Sequence, residues 1–266
     1  MAPLADLHDL LRSLGRVLLG YSGGVDSAVL AVAGTEALGP QRFLAAIGRS
    51  DSYPMEQWRV AQEVARRFAV PLVEVTTGEL ADPRYRANPT NRCYFCKLEL
   101  WSRLGSLANR RGFDTIIDGT NADDLSGHRP GAVAGRESRV RSPLAELGWT
   151  KARVREAARE LGIPTWDAPA SPCLASRIRY GLEVTATRLR QVEQAEQLLR
   201  GLGVTGDLRV RHLDRVASIE TEPAWHGMLR TNWTTVVAGL ERLGFAEVVL
   251  HPGGYRRGSL LPAAGE

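Results

Sequence analysis

The chain is poor in everything that would anchor or brace it from outside a hydrophobic core. It has only three cysteines, Cys93, Cys96 and Cys173. That odd number is too small for a disulfide framework, so the thiols read as metal ligands or nucleophiles in a reducing compartment. No apolar run approaches the ~20 residues that cross a bilayer, and the opening MAPLADLHDL lacks the basic-then-apolar order of a secretory signal. A soluble, cytoplasmic protein with no membrane partner is expected. Excess charge is also scarce, with 34 basic residues against 30 acidic. The arginines are scattered apart from modest clusters at 136–141 and 209–215, whereas nucleic-acid binders gather theirs with interleaved aromatics. A nucleic-acid partner is therefore not favoured. No internal repeat or low-complexity tract is visible.

Hydrophobic residues make up 44% and charged residues 24%, a globular composition, and 266 residues exceed the ~100–200 typical of one domain. Short apolar runs at 16–21, 43–47, 71–75 and 115–118 read as strands, and amphipathic stretches at 26–38, 54–68 and 92–111 as helices. This alternation predicts an α/β fold, a parallel doubly wound sheet with ligands at the strand C-terminal ends. A further helix at 150–161 has Thr150 as its cap, with Gly162 and Pro164 as stops. The pattern then lapses into WDAPASPCLASRIRYG, which places a boundary between domains at 1–170 and 171–266. Beyond it, a helix at 185–201, strands at 208–212 and 215–220, a helix at 231–243 and a strand at 246–250 predict a smaller α+β domain.

The first strand, RVLLGY, which contains Gly20, runs directly into Ser22-Gly23-Gly24-Val25-Asp26-Ser27 and then a helix. Two adjacent glycines let the backbone turn sharply and present several N–H groups, and the helix start adds partial positive charge, so the loop can cradle a polyphosphate. Neither the Walker nor the dinucleotide spacing is present. A plain capped βα turn is the alternative. At the same sheet edge the strand DTIID leads into Gly119-Thr120-Asn121-Ala122-Asp123-Asp124. Asp124, and less directly Asp123, is a candidate Mg²⁺ ligand, because Mg²⁺ takes one or two carboxylates alongside phosphate oxygens; a helix cap is the other reading. Arg49-Ser50, just past the second strand, is a candidate contact to the base or ribose, or a solvated loop.

Cys93 and Cys96 lie in NRCYFCK at a helix start, where thiols are activated. Alone, the pair reads as a redox couple or half of a zinc site, which would need Cys173 and a histidine such as His128. Cys173 alone reads equally as a buried, inert thiol. Arg209 and Arg211, two apart on a strand, share one face and could clamp a phosphate, or be surface charge.

The SGGVDS hexapeptide resembles the PP-loop of the ATP pyrophosphatases, which include GMP and NAD synthetases. The resemblance implies ATP as substrate with Mg²⁺, a loop that grips the departing pyrophosphate, and a carboxylate that attacks the α-phosphorus to give an acyl-adenylate. It implies ATP contacts at Gly20, Ser22, Gly23, Gly24, Asp26, Ser27, Arg49, Ser50, Gly119 and Thr120. Together with GTNADD, NRCYFCK, SPLAELGWTKARVREAARELGIP and DAPASPCLASRIRYG, the chain resembles the LarE family, the ATP-dependent pyridinium-3,5-biscarboxylate mononucleotide sulfur transferases of nickel-pincer nucleotide biosynthesis. In that pattern Cys173 matches the catalytic, sulfur-delivering cysteine, and Trp101, Ser176, Arg177, Glu196, Arg209 and Arg211 match substrate contacts. With Cys93 and Cys96 also present, the resemblance implies a 4Fe-4S cluster on three cysteines, with a sacrificial Cys173 as the alternative. It also implies a homo-oligomer, a dimer or hexamer. A PP-loop tRNA thiolase is the nearest rival; a non-catalytic nucleotide-binding module with a zinc site is the second.

Overall fold

The computed structural model describes residues 3–125, 129–169, 171–256 and 259–260; position 170, the expected boundary, lies outside them. The chain forms two compact units, Met1–Glu79 with Asn91–Ser171 and Leu80–Thr90 with Pro172–Glu266. The second unit is therefore discontinuous in sequence, a feature the composition along the chain does not announce. In order, the first unit contains α1 (Pro3–Ser13), β1 (Val17–Gly20), α2 (Val25–Leu38), β2 (Phe43–Arg49), α3 (Met55–Arg67) and β3 (Leu72–Thr76). After α4 (Pro83–Arg86), which belongs to the second unit, it resumes with α5 (Arg92–Arg111), β4 (Thr115–Ile117), α6 (Pro130–Glu137), α7 (Pro143–Glu146) and α8 (Lys151–Glu160).

The four strands are parallel in the order β3-β2-β1-β4. Alternate residues on a strand face opposite sides, and both sides are covered. Val17, Leu19, Ala45, Ile47 and Ile117 join a core that includes residues of α1, α2, α3 and α8. Leu18, Leu44 and Ala46 join another built on α5 and Ala134 of α6. Burial on both faces explains why β1 and β2 read as unbroken apolar runs rather than alternating ones, whereas β3, at the sheet edge, carries Glu74. Winding runs from β1 outward through β2 to β3, then reverses to place β4 on the other side of β1. The C-terminal ends of β1 and β4 thus flank the switch point where doubly wound folds bind ligands.

The second unit contains α9 (Ala186–Gly201), β5 (Leu208–Leu213), β6 (Val216–Thr221), α10 (His226–Thr231), α11 (Trp233–Arg242) and β7 (Glu247–Leu250). β5 and β6 form an antiparallel hairpin, and β7 joins β6 in parallel. Asp214 turns the hairpin at φ 72°, a left-handed conformation that Asp tolerates better than most residues. Leu199, Val210, Ile219 and Leu240 belong to its apolar core. The helix expected at 231–243 is α11, and a short helix that was not expected, α10, runs up to it. Asn232 leaves helical geometry at φ −101° and ψ 19°, and its side-chain amide donates to the Met228 carbonyl at 2.9 Å, competing with the helical ladder. The sequence reading also passed over α1, α4, α6 and α7, each of which opens on proline, a helix-start signal.

Candidate active site

The glycine loop occupies the switch point, and its shape is fixed by its own residues. Gly23 is at φ 71°, and a Cβ there would lie 2.7 Å from Ala61 Cβ, so both conformation and space require glycine. Gly24 caps α2 without a side chain, leaving the first-turn N–H groups to meet a ligand rather than a cap. The two serines close the loop: Ser27 Oγ donates to Gly24 O at 3.0 Å and accepts from Ser22 N at 3.2 Å. Tyr53 Oη and Gln57 Nε2 each donate to Ser22 O at 2.9 Å. Burial raises the Tyr53 phenol above its ordinary pKa despite the opposing charge of Arg49, so it remains a donor. Gly20, at the end of β1, is glycine because a Cβ would lie 2.7 Å from the Trp101 ring.

The second loop approaches this helix start closely. A Cβ on Gly119 would sit 2.9 Å from Ser27 N, so a larger residue would push the loops apart. Asn121 Nδ2 donates to Asp26 Oδ1 at 3.0 Å, and Lys151 Nζ, on the first residue of α8, donates to Asp26 Oδ2 at 2.5 Å. Lys151 is the site residue that sequence reasoning missed. It follows Thr150, whose hydroxyl caps Arg153 N, and Thr-Lys at a helix start reads as capping alone. Its backbone N–H donates to Asp123 Oδ2 at 2.8 Å, so Asp123 serves as a cap. Thr120 is tied to Asp118 through its N–H and its hydroxyl. Asp124 accepts from Asn121 N at 3.4 Å and pairs with Arg129 Nη2 at 2.6 Å. Asp26 and Asp124 are therefore linked through Asn121, a two-carboxylate set of the kind Mg²⁺ takes beside phosphates.

Past β2, Ser50 Oγ donates to Glu79 Oε1 at 2.5 Å, and Glu79 is 3% exposed. Arg49 lies over the Trp58 ring at 4.9 Å with Nε 3.6 Å from Glu74. Arg49 Nη1 and Glu79 Oε2 are buried without a hydrogen-bond partner among the described residues, the condition of polar groups built to meet something further.

Cys93 and Cys96 sit in the first turn of α5, Cys93 exposed and Cys96 half-buried. Cys173 is half-buried in the second unit, at the cap of a short 3₁₀ turn, Leu174–Arg177. Among the described residues none of the three is in a disulfide. Within either unit no three His, Cys, Asp or Glu side chains of the described residues converge as a metal site. His128, the sequence candidate for a zinc ligand, lies outside the described residues. Trp101 is 3% exposed in the core of the first unit, with a buried indole N–H lacking a partner among the described residues.

The remaining substrate candidates gather in the second unit. Arg177 is held in a two-pronged pair by Glu196 at 3.0 and 3.1 Å and donates to Cys173 O at 3.1 Å. Arg209 and Arg211 do share a face of β5, but both are buried. Arg211 pairs with Glu220 at 2.8 Å and donates to Ser176 O at 3.1 Å. Arg209 stacks over Tyr255 at 5.1 Å, and burial, followed by the nearby Arg177, lowers its pKa. Arg177 and Arg211 are paired with Glu196 and Glu220, while Arg209 has Glu196 and Asp207 as nearby carboxylates; the three guanidiniums together offer planar donors of the kind that bind an anion.

A doubly wound sheet whose switch point carries this glycine loop, with a carboxylate tied to a lysine beside it, defines a nucleotide-binding domain of the PP-loop, ATP-utilising class. A family model of NAD synthase matches residues 10–86. The chain is 41% identical over 259 residues to an uncharacterized protein of Synechocystis sp., covering 97% of this chain and 96% of the relative. It is 32% identical over 256 residues to the pyridinium-3,5-bisthiocarboxylic acid mononucleotide synthase of Lactiplantibacillus plantarum, covering 96% of this chain and 92% of the relative. A GMP synthase of Bradyrhizobium sp. is 31% identical over 169 residues, 56% of this chain and 31% of the relative. The chain belongs to the LarE family, to which the Lactiplantibacillus synthase also belongs. Among the described residues, no helix is long and apolar enough to cross a membrane.

Proposed function

We propose that the chain is an ATP-dependent sulfur transferase acting on pyridinium-3,5-biscarboxylic acid mononucleotide. A substrate carboxylate oxygen attacks the α-phosphorus of ATP, pyrophosphate leaves, and a sulfur nucleophile then expels AMP to give the thiocarboxylate. The observation that carries this reading is Asp26, held by Asn121 and Lys151 at the mouth of the glycine loop. The first-turn N–H groups of α2 receive the charge that develops on the departing pyrophosphate, and Lys151 adds a cation beside it. Mg²⁺, held by Asp124 with Asp26 beside it, would supply charge neutralisation to the phosphates. The clustered guanidinium donors of Arg177, Arg209 and Arg211 suit the phosphate of the mononucleotide.

Cys93, Cys96 and Cys173 are the donors that would hold a 4Fe-4S cluster, which supplies an open iron for exchangeable sulfide. The fit lies in the donor set: two thiols three apart on one helical face and a third in a turn whose carbonyl is gripped by Arg177. Protein purified anaerobically, given ATP, Mg²⁺ and the substrate, should release AMP and pyrophosphate, form thiocarboxylate, carry about four iron atoms per chain and retain an intact Cys173 by mass spectrometry. Loss of H₂S mass from Cys173 would assign the sacrificial route instead, and no AMP would reject the reading altogether.

A further inference from the structure

The excursion Leu80–Thr90 leaves the first unit's sequence to pack in the second, and its buried centre is Asn88, fully shielded from solvent. Its backbone is left-handed at φ 54°, a conformation that Asn adopts more readily than most side chains. The side-chain amide donates to three carbonyls of one segment: Ile178 O at 3.3 Å, Arg179 O at 2.8 Å and Leu182 O at 2.9 Å. Asn88 O accepts from Gly181 N at 3.0 Å, and two residues earlier Arg86 O accepts from Val184 N at 2.9 Å. The segment so gripped follows directly on the turn that carries Cys173, Ser176 and Arg177.

That turn is held from both flanks. On its N-terminal side the Arg177 guanidinium binds the carbonyls of Pro172 and Cys173 at 2.5 and 3.1 Å. On its C-terminal side Asn88 binds the carbonyls of 178, 179 and 182. Ile178 also bridges to His212 on β5, and Ile178 N closes the turn on Ala175 O at 3.1 Å. We infer that Asn88 is a positioning residue for sulfur delivery: by chelating the backbone after the turn, it fixes the placement of Cys173 without touching a reactant. The role in sulfur delivery rests on the function proposed above; the grip on the turn does not.

Two variants separate backbone from amide. Asn88→Asp keeps the tolerance for positive φ but turns an acceptor toward three acceptors, and Asn88→Gly keeps the left-handed backbone freely while removing the donor. In the holoenzyme, hydrogen exchange of peptides spanning 174–184 should quicken about tenfold in both, about 1.4 kcal/mol of local opening, with peptides of β1 and α2 unchanged. In single turnover, thiocarboxylate formation should fall at least tenfold while the pyrophosphate burst stays within about threefold of wild type. Unchanged exchange at 174–184, or faster exchange throughout the chain, would overturn the grip. Pyrophosphate and thiocarboxylate falling in parallel would overturn the positioning role. A wild-type chain that releases no pyrophosphate would instead sink the proposed function and leave the exchange result standing.

Discussion

The two charged centres of this molecule are built on opposite plans. At the glycine loop of the first unit the donors are backbone N–H groups, and glycine at the cap leaves them uncovered. In the second unit the donors are guanidiniums, each embedded among carboxylates, carbonyls or an aromatic ring. Backbone donors cannot move away from a ligand or be neutralised by a neighbouring side chain, so a phosphate can be held there by shape and dipole alone. Buried guanidiniums need partners to exist at all, and a ligand's anion must fit into a network already made. The first plan writes itself into the sequence as glycines and serines in fixed order. The second scatters its partners from Pro172 to Tyr255.

Removing the Asp26 carboxylate is the sharpest test of the first plan. Asp26→Ala should lower pyrophosphate release by about 10³-fold, roughly 4 kcal/mol, with an unchanged circular dichroism spectrum; near-wild-type release would remove the phosphate-loop assignment. In the second unit the corresponding change should act on stability. Glu220→Gln leaves Arg211 buried without its counter-charge and should cost about 3 kcal/mol in urea unfolding. An effect under about 0.5 kcal/mol would show that Arg211 is not dependent on its pair.

His212 gives the second unit a pH dependence. Burial, reinforced by Arg188 and opposed by Asp214, lowers its pKa to about 4, and its Nε2 meets Gln191 Oε1 at 2.9 Å. The unfolded chain, with an ordinary value near 6.5, binds this proton first as pH falls. Stability should therefore be full above about pH 6.5 and decline toward pH 4 by about 3 kcal/mol. Thermal melts of wild type and His212→Asn across that range should converge at acid pH. The smallest effect is expected at Gly119→Ala. Its methyl would press on Ser27 N and should raise the KM for ATP about tenfold, about 1.4 kcal/mol, with little change in melting temperature.

Legibility followed the same division. Local periodicity was enough to place β1 to β4 and the three long helices α2, α3 and α5 between them, because β1 and β2 are apolar runs and the helices show a helical apolar period. The phosphate loop was readable because its function lies in backbone conformation, which glycine encodes directly. Lys151 was not, since its meaning depends on Asp26, far away in sequence. The shared face of Arg209 and Arg211 followed from strand period, but the neutralisation of Arg211 by Glu220 depends on pairing between β5 and β6. The second unit's claim on residues 80–90 was hidden for the same reason: Asn88 carries no mark of its partners 90 and more positions later.

That separation has a price in time on the ribosome. Asn88 leaves the exit tunnel long before the segment that its amide binds, and at about 5–20 residues per second the delay is on the order of five to twenty seconds. Through that interval the amide has none of the carbonyls that it meets in the folded unit. Synthesis speed, and whatever shelters nascent chains, thus becomes a determinant of how much of this protein reaches its native topology.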